Sequence, residues 1–526
     1  MSDKVLWKGA LLLTAAGVFG KILSAGYRVP FQNMVGDEGF YIYQQIYPFI
    51  TIAWLLSIYG FPAAISKLVI ELEGQKSQQQ QITFHLPIFV FLFMINFLLF
   101  VCLYVGAEQI ARGMGDVKLQ EPIQYASFLF LIIPFTSFIR GGFQSTGNMR
   151  PTAFSQTAEQ LVRVFFILLF TYLFVKQGKN LYEIGSGAAF ASSIGVFVGI
   201  IILVIYIFYF TKRKQAIRFS YHLISYRKMA KVLLQTTVIM SLNYMLLVFL
   251  QLVDNFTMIS TLQQYGLSLE DAKVEKGIFD RGQPLVQLGV VFGSSLALAL
   301  VPSVAKMNSA NYQQTIYRVL KLTILFSLGA TVGLIAIFPS VNIVLFETSL
   351  GNEALRIFSV LIVIVSLTLT LSTYLQGLGF VKRQALLFGI TLMVKWILNQ
   401  LLIPYFGITG SAIASVISVV FLVVSFFVVL KKQIPIPLRR LLPWKSTILS
   451  IMIMLAVVTI LHSFFDYWFV LNDRLDYWIV TLFSCLFGAL AFFYTLLVTK
   501  AFSEEELKQI PFGEQLLRIL YRRKDK

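Results

Sequence analysis

The chain is short of cysteine, histidine and acid for its size. Among 526 residues there are two cysteines, three histidines and 25 Asp plus Glu. Cys102 and Cys485 both lie in apolar blocks, which argues against a disulfide framework and for small core residues. His85, His222 and His462 are far apart, and none has a ligand-like neighbour, so no metal site is expected. Charged residues make up 13% of the chain against 57% hydrophobic, too few for a soluble protein of this length. Catalytic signatures are missing too: there is no HExxH, no GxSxG and no dinucleotide fingerprint. "GVFGK" at 17–21 has neither the spacing nor the Ser/Thr of a P-loop. No enzyme and no resident cofactor is therefore expected, and ATP-driven transport would need another chain.

What the chain has instead is a succession of apolar blocks about twenty residues long, each matching the hydrocarbon thickness of a bilayer. They do not alternate as barrel strands do. With no water to satisfy the backbone, each must be a helix. The first block, 5–29, is too long for a signal-peptide core and reads as a retained span. Fourteen spans are counted, near 5–29, 41–66, 83–106, 122–144, 153–175, 185–210, 232–262, 278–304, 317–340, 355–378, 384–403, 408–430, 443–465 and 477–499. The expected fold is an all-α integral membrane protein with about fourteen transmembrane helices.

Lys and Arg orient it. With residues flanking each span counted with the adjoining loop, thirty of the 43 fall on the side of the N-terminus, eight on the other and five inside spans. This bias puts both termini in the cytoplasm. It also accounts for the net charge of +18 as loops lying on anionic lipid rather than as a nucleic-acid surface. The densest loop, "TKRKQAIRFSYHLISYRKMAK" at 211–231, connects spans six and seven. The tail opens with a capping box from Ser503 to Glu506 and continues as an interfacial amphipathic helix.

The pattern Gln144-x-x-Gly147-x-x-Arg150-x-x-Ala153 recurs 232 residues on as Gln376-x-x-Gly379-x-x-Lys382-x-x-Ala385, and the same offset relates Arg163 to Lys395. Six spans separate the copies, so the halves share one orientation. The expectation is two pseudo-symmetric six-helix lobes, 1–222 and 223–431, then two further helices in 432–499 and a cytoplasmic tail, 500–526. Two such lobes imply a cleft and alternating access.

The five cations inside spans are Lys21, Arg28, Arg163, Arg281 and Lys395. Each costs about 2.5–3.5 kcal/mol at a helix centre, less where it can snorkel. Lys21 and Arg28, in "GKILSAGYR", lie about 20° from two full turns apart and share one face, with Ser24 between them. Arg28 and Arg281, near the outer ends of their spans, either snorkel or face the cleft. Asp280 precedes Arg281, and Asp37 and Glu38 open span two. Glu159, four residues before Arg163, suggests an intrahelical pair and a structural role. Asp254, beside Asn255 in span seven, is either an interhelical contact or a ligand for Na+ or a proton. Cations facing a cleft suit an anion, and a Lys point charge with an Arg fork matches a diphosphate.

Four stretches, "FGKILSAGYRVPF", "GDEGFYIYQQIYPF", "FDRGQPLVQLGVVFGSSLALALVPSVAK" and "QGLGFVKRQA", resemble the multidrug/oligosaccharidyl-lipid/polysaccharide exporter superfamily, in its MurJ, SpoVB and YtgP-like branch. The resemblance covers essentially the whole chain. It implies a flippase that moves an undecaprenyl-diphosphate-linked cell-wall precursor, lipid II foremost, from the inner to the outer leaflet of a bacterial plasma membrane. It implies that Lys21, Arg28 and Arg281 engage the diphosphate, with Ser24, Glu38 and Asp280 supporting or gating. Lys21 stands where members of that branch carry Arg. Asp254 and Asn255 become candidates for coupling to Na+ or H+, the alternative drive being membrane potential. The implied partners are the lipid-linked glycan, membrane lipids and cell-wall synthesis proteins. Three other readings remain: a flippase for another lipid-linked polysaccharide or teichoic-acid precursor, a multidrug/cation antiporter needing a cleft carboxylate, and a scaffold recruiting cell-wall enzymes through the 211–231 loop and tail.

Overall fold

In hydrocarbon the backbone must bond to itself, and the apolar blocks do form helices. The computed structural model describes residues 3–73, 81–212, 216–221, 225–304, 309–431, 441–468, 473–504 and 506. The helices are α1 (Asp3–Gly26), α2 (Arg28–Leu55), α3 (Phe61–Glu73), α4 (Leu86–Val105), α5 (Ala107–Gly113), α6 (Gln120–Ser127), α7 (Leu129–Ser145), α8 (Arg150–Lys176) and α9 (Leu181–Lys212). They continue as α10 (Tyr226–Gln264), α11 (Leu269–Asp280), α12 (Gly282–Val304), α13 (Ser309–Phe346), α14 (Asn352–Ser359), α15 (Leu361–Gly377), α16 (Val381–Lys431), α17 (Trp444–Trp468) and α18 (Arg474–Val498). A π-helical turn, Leu56–Gly60, joins α2 to α3. Among the described residues the chain departs from all-α in one place. There β1 (Gln81–His85) pairs in parallel with β2 (Ala216–Ser220), Gln81 opposite Ala216 and His85 opposite Ser220. The pairing ties together the expected start of span three and the basic loop at 211–231. Ile82 and Phe84 of β1 bury against Phe143 and Leu203.

Eleven described helical stretches are long and apolar enough to cross a bilayer. Two are far longer than one crossing needs: Ala15–Glu73, of 59 residues, and Val381–Lys431, of 51. Each is broken at a glycine with positive φ, Gly36 (69°) and Gly407 (56°), a region that glycine enters without the clash a Cβ would make. The first break lies beyond the expected end of span one. At Tyr27, where α1 meets α2, the backbone stays helical (φ −67°, ψ −21°). Arg28 therefore sits about two turns before the break. The cysteines are also placed differently from expectation: Cys102 and Cys485 are exposed. In a membrane helix the apolar outward face meets lipid, so an apolar block does not imply a core position.

Packing divides the chain into two units, residues 1–284 with 392–411 and residues 285–391 with 412–526. In the first, the end of α2, the π-turn and α10 bury Trp54, Leu55, Ile58, Met245 and Val248 together. In the second, α13, α17 and α18 surround Leu322, Leu325, Met454, Phe492 and Leu496. The capping box forms there: the Ser503 N–H donates to Glu506 Oε2 (2.8 Å) and the Glu506 N–H to Ser503 Oγ (3.2 Å). Glu506 also pairs with Lys321 at 2.7 Å. The expected amphipathic tail beyond it lies outside the described residues.

The repeated motif makes the same turn twice. Gly147 (φ 75°) and Gly379 (φ 82°) each end a helix in the left-handed region, where glycine is favoured. Their N–H groups reach the carbonyls of Gln144 (2.9 Å) and Gln376 (3.0 Å). The next residues reach back to Phe143 (3.2 Å) and Leu375 (2.8 Å).

Candidate functional site

The charges inside the first unit are sorted by which of them find a carboxylate. Arg28 is fully buried, and its guanidinium lies over the Tyr47 ring, 3.9 Å from the centroid. The Tyr47 hydroxyl is 3.3 Å from Ser24 Oγ, and Arg163 Nη2 donates to that same oxygen at 3.2 Å. Arg163 also approaches the rings of Tyr27 and Trp54, both centroids at 5.9 Å. Lys21, partly exposed and one turn before Ser24, holds its ammonium 5.5 Å from the centroid of Tyr244, which stacks on Tyr59. Ser24 thus links Arg163 to the ring that carries Arg28. Neither Lys21 nor Arg163 forms an ion pair with a described carboxylate. Beside them on α8, Gln156 and Gln160 are fully buried; Gln156 meets the Tyr59 hydroxyl, and the Gln160 amide has no hydrogen-bond partner among the described residues.

Arg163 joins this group because its expected partner is taken. Glu159 accepts from Arg140 Nη2 at 2.7 Å, and both side chains are fully buried. Arg140 also donates to Ser57 Oγ in the π-turn (3.0 Å) and to Ser155 Oγ (3.2 Å). The local i, i+4 spacing favoured Glu159 with Arg163, but packing of α7 on α8 brings a second arginine to the carboxylate. Arg140, four residues from the expected end of span four, counts with the adjoining cytoplasmic loop in the Lys and Arg tally. No signal within α7 marks it otherwise, since its partner is nineteen residues away.

Arg281 has a carboxylate of its own. Its Nε donates to Asp37 Oδ1 at 2.8 Å and its Nη2 to Oδ1 at 2.6 Å and Oδ2 at 2.5 Å, with Gln32 adding a bond at 3.0 Å. The approach needs Gly277, where a Cβ would stand 2.1 Å from the Asp37 carbonyl oxygen. Of the two acids that open span two, it is Asp37 that meets Arg281. Glu38 is half-buried and forms no ion pair with a described residue. Asp280 pairs with Lys276 at 2.6 Å, both fully buried, and lies within electrostatic reach of Asp254 and Arg28. At the other end of α11, Lys273 approaches Asp116 (3.7 Å) and donates to Tyr182 (3.1 Å), whose hydroxyl donates to Asp116 at 2.6 Å. By the expected bounds Asp116 and Lys273 fall between spans. They are nearly as buried as the core.

Asp254 and Asn255, adjacent on α10, do different work. Asp254 meets Lys395 at 2.9 Å, and Asn399 and Ser411 also donate to it. Asn255 donates to the carbonyls of Gln44 (3.2 Å) and Gln45 (3.0 Å), and Gln251 also donates to Gln44 (3.2 Å). Pro48, inside α2, has no N–H to offer the carbonyl four residues earlier, which is that of Gln44. The two amides satisfy the group the proline leaves open, so the Asn255 amide is spent on α2. No cluster of three or more potential metal ligands occurs among the described residues.

Comparison with known proteins gives the family. Residues 6–308 match the family model for polysaccharide biosynthesis proteins. The chain is 40% identical over 523 residues to the uncharacterised membrane protein YabM of Bacillus subtilis, covering 98% of this chain and 97% of that one. It is 26% identical over 462 residues to the lipid II flippase MurJ of the same organism, covering 82% and 84%. A solved structure of the lipid II flippase MurJ in an inward closed conformation aligns with a TM-score of 0.67 at 17% identity, over 93% of this chain and 98% of that one. This multi-pass membrane protein belongs to the polysaccharide biosynthesis protein family.

Proposed function

We propose that the protein is a flippase that moves an undecaprenyl-diphosphate-linked cell-wall precursor, lipid II in the first instance, from the inner to the outer leaflet of a bacterial plasma membrane by alternating access. Both termini are cytoplasmic in this reading, as the Lys and Arg bias requires. One observation carries it. Lys21 and Arg163 lie in membrane-spanning helices, flank Ser24 and have no described carboxylate to neutralise them. An unneutralised cation at such depth is costly unless an anion is delivered to it. A diphosphate offers several oxygens, and a Lys with Arg forks at Ser24 and Tyr47 presents matching donors. Arg281 engages the same group only by exchanging Asp37 for it, so its part is that of a pair that opens.

MurJ, a relative named for its activity, is a flippase rather than an enzyme. An antiporter for cationic drugs is less well supported, because it needs an open carboxylate, and Asp254, Asp280 and Glu159 are each held by a basic side chain.

The test is complementation. Wild type and the variants Lys21→Glu, Arg28→Glu and Arg163→Glu are expressed in a bacterium depleted of its own lipid II flippase, with membrane levels checked. Rescue by wild type and failure of the reversals at equal abundance is the expected result. Lack of rescue by wild type would move the substrate to another lipid-linked polysaccharide or teichoic-acid precursor. Rescue by every variant would sink the cationic site.

A further inference from the structure

The carboxylate of Asp254 is the centre of a built donor set. Its Oδ1 receives Lys395 Nζ at 2.9 Å, Asn399 Nδ2 at 2.9 Å and Ser411 Oγ at 3.0 Å, and Asn399 also donates to Thr257 Oγ1 at 2.8 Å. Asp254, Lys395, Asn399 and Ser411 are all essentially without solvent exposure. They come from α10 and from α16 on both sides of its break. Lys395 and Asn399 lie one turn apart before Gly407, and the reversal there returns Ser411 to the same oxygen. Two further buried oxygens, Asp254 Oδ2 and Asn399 Oδ1, have no hydrogen-bond partner among the described residues.

Carboxylate, amide and hydroxyl oxygens gathered out of water are the ligands a hard cation takes. Here the positive charge beside them is an ammonium on the chain itself. We propose that this is a monovalent-cation site whose cation is built in: the Lys395 ammonium stands where an exchangeable Na+ would otherwise sit, and the wild-type protein takes no Na+ at Asp254. The neighbouring charges support the assignment. Lys276 and Asp280 form the next pair, within electrostatic reach of Lys395 and Asp254. Each carboxylate in this group already has its cation, so a Na+ added at Asp254 would face Lys395 across a few ångströms with no acid to spare. The repeat shows the same position put to two uses. Arg163, the equivalent of Lys395, has no described carboxylate and points to Ser24. None of this depends on which glycan is carried.

The experiment uses the purified full chain in detergent at constant ionic strength, with choline replacing Na+. Thermal unfolding and binding of radiolabelled sodium are measured. Wild type is expected to unfold at the same temperature in both salts and to bind no sodium saturably. Lys395→Ala is expected to lose stability in choline and to regain about 2–4 °C, saturably, on addition of Na+ or ethylammonium. That gain should vanish in the Lys395→Ala/Asp254→Asn double variant. If Lys395→Ala does not fold, Lys395→Gln keeps most of the volume and carries the same expectation, and the wild-type measurement decides by itself. Saturable sodium binding by wild type that Asp254→Asn abolishes overturns the proposal. So does a folded Lys395 variant that responds to neither Na+ nor ethylammonium.

Discussion

Replacing Glu159 by Gln removes the charge that neutralises Arg140 while keeping nearly the same volume. Both side chains are fully buried, and the ion-pair contact is 2.7 Å. At a charge separation of about 4 Å and an effective dielectric constant of about 20, the lost attraction is about 4 kcal/mol. Measured losses on breaking one side of a buried pair, about 3–5 kcal/mol, agree. Arg140 would keep its bonds to Ser57 and Ser155, which places the expected loss toward the lower end of that range. Arg163→Gln should behave differently. It removes a cation with no described carboxylate and one bond to Ser24, and should change stability by no more than about 1 kcal/mol. The assay is a reversible SDS titration in mixed micelles. The double variant Arg140→Gln/Glu159→Gln, two amides able to bond each other, should recover most of the loss. A Glu159→Gln loss below about 1 kcal/mol, or an equal loss from Arg163→Gln, would refute the pairing and return Glu159 to the residue four positions on.

Three further outcomes follow from the same geometry. Asn255→Leu should cost about 1–3 kcal/mol by leaving the Gln44 and Gln45 carbonyls short of a donor. It should cost measurably less in a Pro48→Ala background, where residue 48 regains its N–H, and a double-mutant cycle reads the coupling. Gly407→Ala should cost about 1–2 kcal/mol from its positive φ. Gly389→Ala, within the same helix and with open space at its Cβ, should be neutral or slightly stabilising in the same titration. Glu275, outside the long apolar helices, has its carboxyl pushed up by burial and by Asp37, with Arg281 opposing. A raised carboxyl contributes stability below its unfolded pKa that is lost as pH rises through the folded one. Glu275→Gln should therefore gain stability relative to wild type at neutral pH, with the gain fading in acid. A constant difference across pH would show that Glu275 titrates alike folded and unfolded.

Sequence alone can say which residues must be helical and which charges must be neutralised, but not by whom. The helices were legible because hydrocarbon leaves the backbone no other partner. The breaks at Gly36 and Gly407 were not, because a glycine in an apolar block reads equally well as a close packing contact. Among the charges, i, i+4 spacing describes Lys276 with Asp280 and would also describe Glu159 with Arg163, yet only the first pair forms. What separates them is a competitor from another helix, Arg140, which no local rule can supply. Asp37 and Glu38 pose the same difficulty. They are adjacent acids about 100° apart on a helix, and Gly277 decides between them by letting the Asp37 backbone come close. The site is reached by subtraction across the whole unit. Asp37 takes Arg281, Asp280 takes Lys276, Glu159 takes Arg140 and Asp254 takes Lys395. Each pairing is a local matter of two side chains. Together they leave Lys21 and Arg163 without a described carboxylate on either side of Ser24, so the charge offered to an anion is set by contacts made far from it in the chain.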